Sequence, residues 1–387
     1  MFAVKRVVLL LAVGVLLAAC KTPQRITPPP ANGAPAPSVQ YVPSKWTVLP
    51  DWQQLDLTPS WTALLQSCRA LKKRPQWQAV CAAAEQVNRN DSNAQRVFFE
   101  ERLLPYQVLN PDGSEQGIIT GYYEPLLKGS RIRTERFRYP LYGAPDDMLE
   151  IDLGDAYPEL KGKRLRGRLQ GKRVLPYFKR AEIDAGVNGL KGRELFWVDN
   201  AVELFFLQIQ GSGRIELPDG QLVKVGYADQ NGYPYVSIGR KLIEMGEMKL
   251  EETSMQSIRA WGESHPDKLP ALLELNPSYV FFRELPEALT SPVGALGVPL
   301  TNEYSIAVDP RAIPLGAPVF LSTTLPNSTA PLNRLMLAQD TGGAIRGAVR
   351  ADFFWGFGET AAAQAGKMRQ QGRMWLLYPK GGVPQPN

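Results

Sequence analysis

The sequence contains a single histidine, His265, among 387 residues. A metal site built from several histidines is therefore excluded, and a Ser-His-Asp or Cys-His triad would have to use that one residue. No metal site and no cofactor are predicted. If the protein is an enzyme, its acid–base chemistry is left to carboxylates or tyrosine.

Apolar runs of the roughly 20 residues that a membrane span needs are also missing. Val7 to Ala19 covers only thirteen residues, follows a basic pair and ends in Leu17-Ala18-Ala19-Cys20. A signal peptide ends in small residues, and a cysteine directly after that site resembles the lipobox of bacterial lipoproteins. We therefore predict a signal peptide over 1–19 and acylation of Cys20. An uncleaved anchor or an ordinary signal peptide is the alternative.

Lys21 follows Cys20, where lipoproteins retained in the inner membrane typically carry Asp. This favours an outer-membrane lipoprotein that faces the periplasm of a Gram-negative bacterium. Residues 20–44 carry seven prolines and almost no apolar side chains. That composition predicts an extended tether between the lipid and the folded protein.

The excess of positive charge is small. Removing the signal leaves 42 Lys and Arg against 38 Asp and Glu, a formal charge of +4, which is too weak to indicate nucleic acid. The most basic segment, Lys161 to Arg180, has few aromatic residues and does not resemble a nucleic-acid groove. It is interpreted as a solvated loop or as a contact for an acidic polymer or anionic lipid.

With Cys20 acylated, the remaining cysteines of the sequence are Cys68 and Cys81. Both lie in segments whose apolar residues have helical spacing. In an oxidising compartment this favours one disulfide between two helices, with two buried free thiols as the alternative. A catalytic cysteine is not indicated, because nothing in the sequence suggests an environment that would lower its pKa.

Periodicity predicts helices from Trp46 to about Tyr106 and short strands and turns from about Gly117. The apolar run Glu203–Gln210, ended by Gly211, is interpreted as a strand. The further segments predicted are helices over 237–245, 251–263 and 359–371, and strands over 305–308, 318–321, 334–338 and 373–378.

Three aspartates are the candidates for acid–base chemistry. Asp352 stands next to Phe353, Phe354 and Trp355, and an apolar environment should raise its pKa, as a general acid requires. Asp340 ends an apolar strand before a Gly pair, and Asp309 ends another strand. Capping of turns is the alternative for all three.

The stretch from Asp340 to Gly347, with Asp352 twelve residues after Asp340, resembles the three-aspartate domain of the membrane-bound lytic murein transglycosylase A family. Five further motifs resemble the same family and occur in its order: Thr120–Pro125, Gln208–Gly213, Tyr227–Gly232, Ser237–Arg240 and Asn276–Phe282.

The resemblance implies a mainly β protein with helices. Residues 45–123 and 285–387 would form a double-psi β-barrel domain, and residues 124–284 a smaller inserted β-domain, with a substrate groove between them. The implied reaction cleaves the β-1,4 bond between N-acetylmuramic acid and N-acetylglucosamine in peptidoglycan. The muramyl C6 hydroxyl replaces water as the nucleophile and leaves a 1,6-anhydro end.

The expected partners are peptidoglycan glycan strands, outer-membrane lipid through acylated Cys20, and cell-wall synthesis or division proteins. By its position in the motif, Asp352 would be the general acid and then the base, supported by Asp340 and Asp309. The predicted substrate contacts are Tyr122, Tyr123, Glu124, Gln208, Gln210 and Ser212.

Strand alternation would turn only one of the two tyrosines towards the groove, and would place Gln208 and Gln210 on one strand face. Two other functions stay open at this point. One is a glycoside hydrolase in which Asp340, Asp309 or Glu124 is a second carboxylate. The other is a lipoprotein that binds murein without cleaving it.

Overall fold

The computed structural model of the protein describes residues 39–160, 163, 165–186 and 190–385. The predicted signal peptide, Cys20 and most of the predicted tether lie outside these residues. Within them, no helix is both long and apolar enough to cross a membrane.

The α-helices of the described residues are α1 (Thr58–Leu71), α2 (Pro75–Ala84), α3 (Ser92–Arg102), α4 (Arg180–Asp184), α5 (Ala201–Gln210), α6 (Ile238–Glu244), α7 (Met255–Ser264), α8 (Leu269–Glu274) and α9 (Glu359–Ala365). The strands are β1 (Gln40–Pro43), β2 (Leu103–Leu109), β3 (Gly117–Glu124), β4 (Leu126–Ser130), β5 (Tyr139–Tyr142), β6 (Met148–Ile151), β7 (Leu165–Gln170), β8 (Arg173–Pro176), β9 (Glu194–Val198), β10 (Ser212–Glu216), β11 (Leu222–Gln230), β12 (Val280–Glu284), β13 (Ser305–Val308), β14 (Pro318–Thr324), β15 (Pro331–Asp340), β16 (Ala351–Phe357) and β17 (Arg369–Pro379).

The larger sheet has the strand order β1-β2-β17-β14-β15-β13-β16-β3, and β3 pairs with β17 as well as with β16. The pairs β13–β15 and β16–β3 are parallel, and the other pairs are antiparallel. β3 therefore lies between strands that come more than 200 residues later in the chain. This order brings the motif that begins at Thr120 beside the motif that contains Asp352.

Helix α1 packs against the larger sheet through one apolar face. It begins with a proline in its first turn, where the missing N–H has no cost. Ser60 Oγ donates a hydrogen bond to the carbonyl of Leu335 on β15, at 2.8 Å. From the other side, Gln339 Nε2 on β15 donates to the carbonyl of Ala63, at 2.8 Å. These bonds fix the helix across β15, and its buried apolar face comprises Trp61, Ala63, Leu64, Cys68 and Leu71.

The structure joins Cys68 of α1 to Cys81 of α2 by a disulfide, with 5.4 Å between the two Cα atoms. Both side chains are buried in the core that α1, α2 and α3 form with the larger sheet. The bond therefore links two helices that cover one side of that sheet.

We expect replacement of Cys68 and Cys81 by Ser together to lower the free energy of unfolding by about 3 kcal/mol. The bond joins residues 13 apart, and a closed loop of this length restricts the unfolded chain by about that amount. Urea unfolding of the oxidised, the reduced and the double-Ser protein measures it. Alkylation of the unfolded, unreduced protein is the direct control, and stoichiometric labelling of both cysteines would contradict the bond.

A second sheet of six strands, in the order β12-β11-β10-β4-β9-β5, is built from residues between 126 and 284. Its core includes Leu127, Phe196, Leu207 and Val225. A small antiparallel sheet, β6-β7-β8, extends from this region. The chain leaves the larger sheet at the end of β3 and re-enters it at β13, so the second sheet is an insertion into the first.

The predicted strand over Glu203–Gln210 is wrong, because these residues belong to α5. The Asn200 side chain accepts hydrogen bonds from the N–H groups of Val202 and Glu203 and caps the helix. Gly211, with φ 78°, ends it in the left-handed conformation. These cap signals outweigh an apolar run that fits a strand equally well by hydrophobicity.

The predicted tether extends too far, because Gln40–Pro43 forms β1. This strand pairs antiparallel with β2, and the Tyr41 hydroxyl donates to the carbonyl of Ala312. The edge of β2 offers backbone partners that a proline-rich segment can still use at a sheet edge.

The interpretation of the basic segment as a loop is wrong for residues 165–176, which form the hairpin of β7 and β8. The Arg166 guanidinium donates to Asp229 at 3.0 Å, and Arg168 lies over the Phe178 ring, 4.2 Å from its centroid. These two arginines are two residues apart on β7 and lie on the same face of the strand. They stabilise the insertion and are not available to a polymer or a lipid.

Candidate active site

Four neighbouring strands bring the candidate side chains into one row. Ala307 of β13 lies in register with Asp340 of β15 and with Asp352 of β16. Asp352 lies in register with Thr120 of β3. Residues in register on paired strands share a face of the sheet. The two aspartates are separated by two strand spacings, which is about 10 Å between their Cα atoms.

The Asp352 carboxyl ends a short polar chain. Thr120 Oγ1 donates to Asp352 Oδ1 at 2.5 Å. Arg350 Nη2 in turn donates to Thr120 Oγ1 at 2.9 Å. The flanking Phe353 and Phe354 are fully buried, whereas Asp352 keeps part of its surface exposed. The carboxyl is thus held in one orientation at a residue that is only partly covered.

The surroundings of Asp352 favour its protonated form. Burial raises its pKa above the ordinary value of 3.8. The Thr120 hydrogen bond and the charge of Arg350 act in the opposite sense, and the Asp340 carboxylate adds to the increase. A carboxyl with a raised pKa can be protonated when substrate arrives, as a general acid must be.

Asp340 is fixed by a neighbouring loop and by Tyr122. The Ala295 N–H donates to Asp340 Oδ1 at 2.9 Å, and the Tyr122 hydroxyl donates to Oδ2 at 2.9 Å. The loop comes close enough only because residue 294 is Gly: a Cβ there would lie 2.5 Å from the Gln339 carbonyl oxygen. Asp340 therefore positions this loop and influences Asp352 through its charge.

The surroundings of Tyr122 argue against the predicted contact with a sugar ring. Its side chain is 7% exposed, and its ring packs against Phe354 with 5.1 Å between centroids. Little of the ring is left for a sugar to cover, so Tyr122 is placed to orient Asp340. Tyr123 points to the other face of β3, as strand alternation requires, and its hydroxyl contacts Met255 Sδ at 3.5 Å.

Asp309 connects two loops and is 2% exposed. It accepts hydrogen bonds from the Arg311 side chain at 2.7 and 3.0 Å, and from the N–H of Gly347 at 3.0 Å. Burial alone would raise the pKa of Asp309, but these bonds outweigh it and hold the pKa below its usual range. The residue is a structural anchor for the loop between Asp340 and Asp352.

Asp309→Asn is expected to reduce stability and to leave the chemistry of Asp352 in place. Hydrogen bonds to a charged group contribute about 1.5–3 kcal/mol each, and the amide can replace only part of this set. Since the folded-state pKa is lowered, the stabilisation is present at neutral pH and is lost as pH falls below about 4. Urea unfolding at pH 7 and pH 3 measures it. A difference from wild type that persists unchanged at pH 3 would contradict this explanation.

Glu124 pairs with Arg214 where the larger sheet meets the insertion. Arg214 Nη2 lies 2.8 Å from Glu124 Oε2, and its guanidinium lies over the Phe357 ring, 3.8 Å from the centroid. Burial raises the pKa of Glu124, and Arg214 opposes that shift. Glu124 lies four residues beyond Thr120 on β3, so it is not in the row of Asp352.

The remaining predicted contacts do not share one strand face. Gln208 is buried in α5, where its Oε1 accepts a hydrogen bond from Arg180 at 2.5 Å. Gln210 Oε1 accepts from the backbone N–H of Tyr123 at 3.1 Å. Ser212 begins β10, in register with Gly226. Gln208 and Gln210 are two residues apart on a helix, so they point in different directions.

Thr120 and Arg350 were not predicted as site residues. The signal was present: Thr120 lies two residues before Tyr122 and thus on the same face of a predicted strand. Among the residues that the structure describes, no three His, Cys, Asp or Glu side chains are grouped so that they could hold a metal ion.

Comparison with known proteins places these features in a family. Residues 118–283 match the model of the MltA specific insert domain, and residues 304–378 match that of the 3D domain. A relative named membrane-bound lytic murein transglycosylase A, from Escherichia coli strain K12, is 37% identical over 279 residues, which are 70% of this chain and 68% of the relative. The chain belongs to the membrane-bound lytic murein transglycosylase A family.

Solved structures of the family have the same fold. MltA from Neisseria gonorrhoeae in a monoclinic crystal form is 42% identical to this chain, with a TM-score of 0.79. The match covers 90% of this chain and 95% of that one. A structure of E. coli MltA with bound chitohexaose is 30% identical, with a TM-score of 0.63 over 88% and 91% of the two chains. The predicted family is confirmed, and so is its fold, a double-psi β-barrel domain with an inserted β-domain.

Proposed function

We propose that this protein is a peptidoglycan lytic transglycosylase in which Asp352 is the general acid and then the general base. Membership of the family supports the activity. The observation that supports the residue is the position of Asp352: it is partly exposed, held by Thr120 at 2.5 Å, and raised in pKa by burial. Burial also raises the pKa of Asp340, but both of its carboxylate oxygens accept hydrogen bonds, from Ala295 and Tyr122, and its place in the motif is not that of the family's catalytic aspartate.

The reaction needs one carboxyl that acts twice. The protonated Asp352 gives its proton to the glycosidic oxygen, and the C1–O bond breaks with its electron pair going to that oxygen. The muramyl C6 hydroxyl then attacks C1 and closes the 1,6-anhydro ring. The Asp352 carboxylate takes the proton of that hydroxyl and is restored to its starting form. The substrate supplies its own nucleophile, so proximity replaces an activated water.

The positions of the other carboxylates favour this reaction over hydrolysis. Asp340 accepts bonds from Ala295 and Tyr122, Asp309 from Arg311 and Gly347, and Glu124 from Arg214. Asp340 and Asp309 thus hold structural partners on both carboxylate oxygens, and Glu124 lies about 13 Å along β3 from Thr120. A hydrolase needs a second carboxylate beside the anomeric carbon or its water.

Mass spectrometry of the products from purified sacculi tests the proposal. The expected products are muropeptides with a 1,6-anhydro end, which weigh one water less than the products of hydrolysis. A digest made in water enriched in ¹⁸O should incorporate no label. Reducing ends that carry ¹⁸O would show a hydrolase and overturn the proposal.

We also propose that the protein is held at the outer membrane by lipid on Cys20. Relatives carry the description membrane-bound, and Leu17-Ala18-Ala19-Cys20 supports the lipid attachment. Cys20→Ala should abolish the labelling of the protein by radioactive palmitate and move it from the membrane fraction to the soluble fraction. Label retained by this variant would contradict the assignment.

The substrate partner of this proposal is the glycan strand of peptidoglycan. The E. coli relative is described with bound chitohexaose, a chain of N-acetylglucosamine units, which supports recognition of the glycan. Cell-wall synthesis or division proteins remain predicted partners, and affinity capture from a detergent-solubilised envelope would identify them.

A further inference from the structure

A cavity of about 620 Å³ lies where β3 leaves the larger sheet and the insertion begins. Its walls come from the end of β3, the start of β4, and the helices α5, α7 and α9. Tyr123 and Phe206 provide aromatic surface there. Neither Asp352 nor the residues bonded to it line this cavity, so the proposed chemistry leaves it unexplained.

One wall of the cavity carries an unsatisfied buried carboxylate oxygen. Glu124 is 1% exposed, and its Oε2 accepts both hydrogen bonds from Arg214, at 2.8 and 3.0 Å. Its Oε1 is buried and has no hydrogen-bond partner. A buried acceptor without a partner costs free energy, so a ligand that donates a hydrogen bond to it gains by binding.

The charges around the cavity favour a cationic donor. Five carboxylates line it against three cations, Lys128, Arg136 and Arg259. Arg136 is already paired with Asp199 at 2.9 Å, and Arg259 with Glu203 at 2.6 Å. Burial is the main cause that raises the pKa of Glu203; Asp199 and Glu263 add to the increase, and Arg259 opposes it.

The distance from the cavity to Asp352 matches the length of a short extended peptide. Thr120, which is bonded to Asp352, lies four residues before Glu124 on β3, and a strand rises about 13 Å over four residues. A peptide of four residues spans up to about the same length. The peptides that substitute the muramic acid residues of peptidoglycan carry free amino and carboxylate groups. Glu124 Oε1 is suited to the amino group, and Lys128, which lines the cavity, is suited to a carboxylate.

We infer that this cavity binds the peptide stem of peptidoglycan, with a free amino group of that peptide donating to Glu124 Oε1. The inference rests on the proposed substrate and goes beyond the glycan that the proposed chemistry requires. It makes the peptide a second point of recognition beside the glycan.

Two variants separate recognition from folding. In Glu124→Gln the amide oxygen can still accept from Arg214, which places the NH₂ group where Oε1 stood and presents a donor to the ligand's donor. Ala362→Phe fills the cavity from α9, away from the row of Asp352. Circular dichroism checks that each variant is folded. If Glu124→Gln does not fold, Ala362→Phe still tests the cavity.

Calorimetric titration of the full-length protein with free stem peptide from purified peptidoglycan tests the inference without turnover. The control ligand is the same peptide with its amino groups acetylated. We expect saturable binding of the free peptide, and at least about tenfold weaker binding after acetylation or in either variant. Asp352→Asn should bind the peptide as the wild type does.

Equal affinity for the two peptides, unchanged affinity in both variants, or no saturable binding would each overturn the inference. Because the measurement records binding alone, its result is independent of whether the products from sacculi carry anhydro ends. Peptide binding with reducing-end products would reject the proposed reaction and retain the peptide site. Anhydro products without peptide binding would retain the proposed reaction and reject the peptide site.

Discussion

Asp352→Asn should release anhydromuropeptides from sacculi about 10²–10⁴-fold more slowly than the wild type, and the upper end of this range is expected. General acid–base catalysis supplies acceleration of that size, and here one residue performs two proton transfers. The amide keeps the shape of the carboxyl and can still accept from Thr120, so circular dichroism and urea unfolding should be close to wild type. It cannot donate a proton and then take one back.

Asp340→Asn is the matched control for that variant, because it removes a carboxylate from the same row. Its amide can still accept from Ala295 or Tyr122, so activity should fall much less than in Asp352→Asn. Loss of the neighbouring negative charge should also lower the pKa of Asp352 and shift the pH profile of activity towards acid. Near-normal activity of a folded Asp352→Asn protein would remove the assignment and leave Asp340 or Glu124 as the candidate.

Arg214→Met is expected to lower the free energy of unfolding by about 3–5 kcal/mol, because it leaves the Glu124 carboxyl buried without its counter-ion. The side chains of the pair are 17% and 2% exposed. With Arg214 gone, the pKa of Glu124 in the folded state rises further above its unfolded value. The loss of stability should therefore grow as pH rises through the folded-state pKa of Glu124 in the wild type, which burial already raises, and be small at pH values below it. Urea unfolding at pH 4.5 and pH 7.5 measures it.

Arg131→Met provides a control with the same geometry at the surface. Arg131 and Glu284 are also 2.8 Å apart, but their side chains are 52% and 38% exposed. Exposed pairs contribute about 0–1 kcal/mol, so this variant should stay near wild type at both pH values. Equal losses in the two variants would show that burial of Glu124 does not decide the effect.

Local patterns in the sequence predict the C-terminal strands well. The strands predicted over 305–308 and 334–338 form β13 and the second half of β15. Prediction fails where an apolar run fits both a helix and a strand, as in α5. There the caps at Asn200 and Gly211 favour the helix. The predicted helix over 359–371 ends at Ala365, because the chain must turn at Gly366 to pair as β17 with β3 and β14.

The sequence is enough to select single candidate residues of the site. It does not show which side chains the fold brings into contact. The aromatic residues that follow Asp352 along the chain are enough to indicate a raised pKa. The partners of Asp352 could not be found from its neighbours in the sequence, because Thr120 reaches it only through the pairing of β3 with β16. The roles of Tyr122 and Glu124 likewise depend on Asp340 and Arg214, which are 218 and 90 residues away along the chain.

The position of β3 between β16 and β17 has a consequence for how the protein matures. Thr120 and Asp352 are 232 positions apart, and contacts between such distant residues form late in folding because a long loop must close first. Until β16 and β17 have been synthesised and paired, β3 is an open edge and no acid is in place. A chain that ends before β16 therefore has no Asp352 beside Thr120, and the row of side chains is assembled only after nearly the whole sequence has been made.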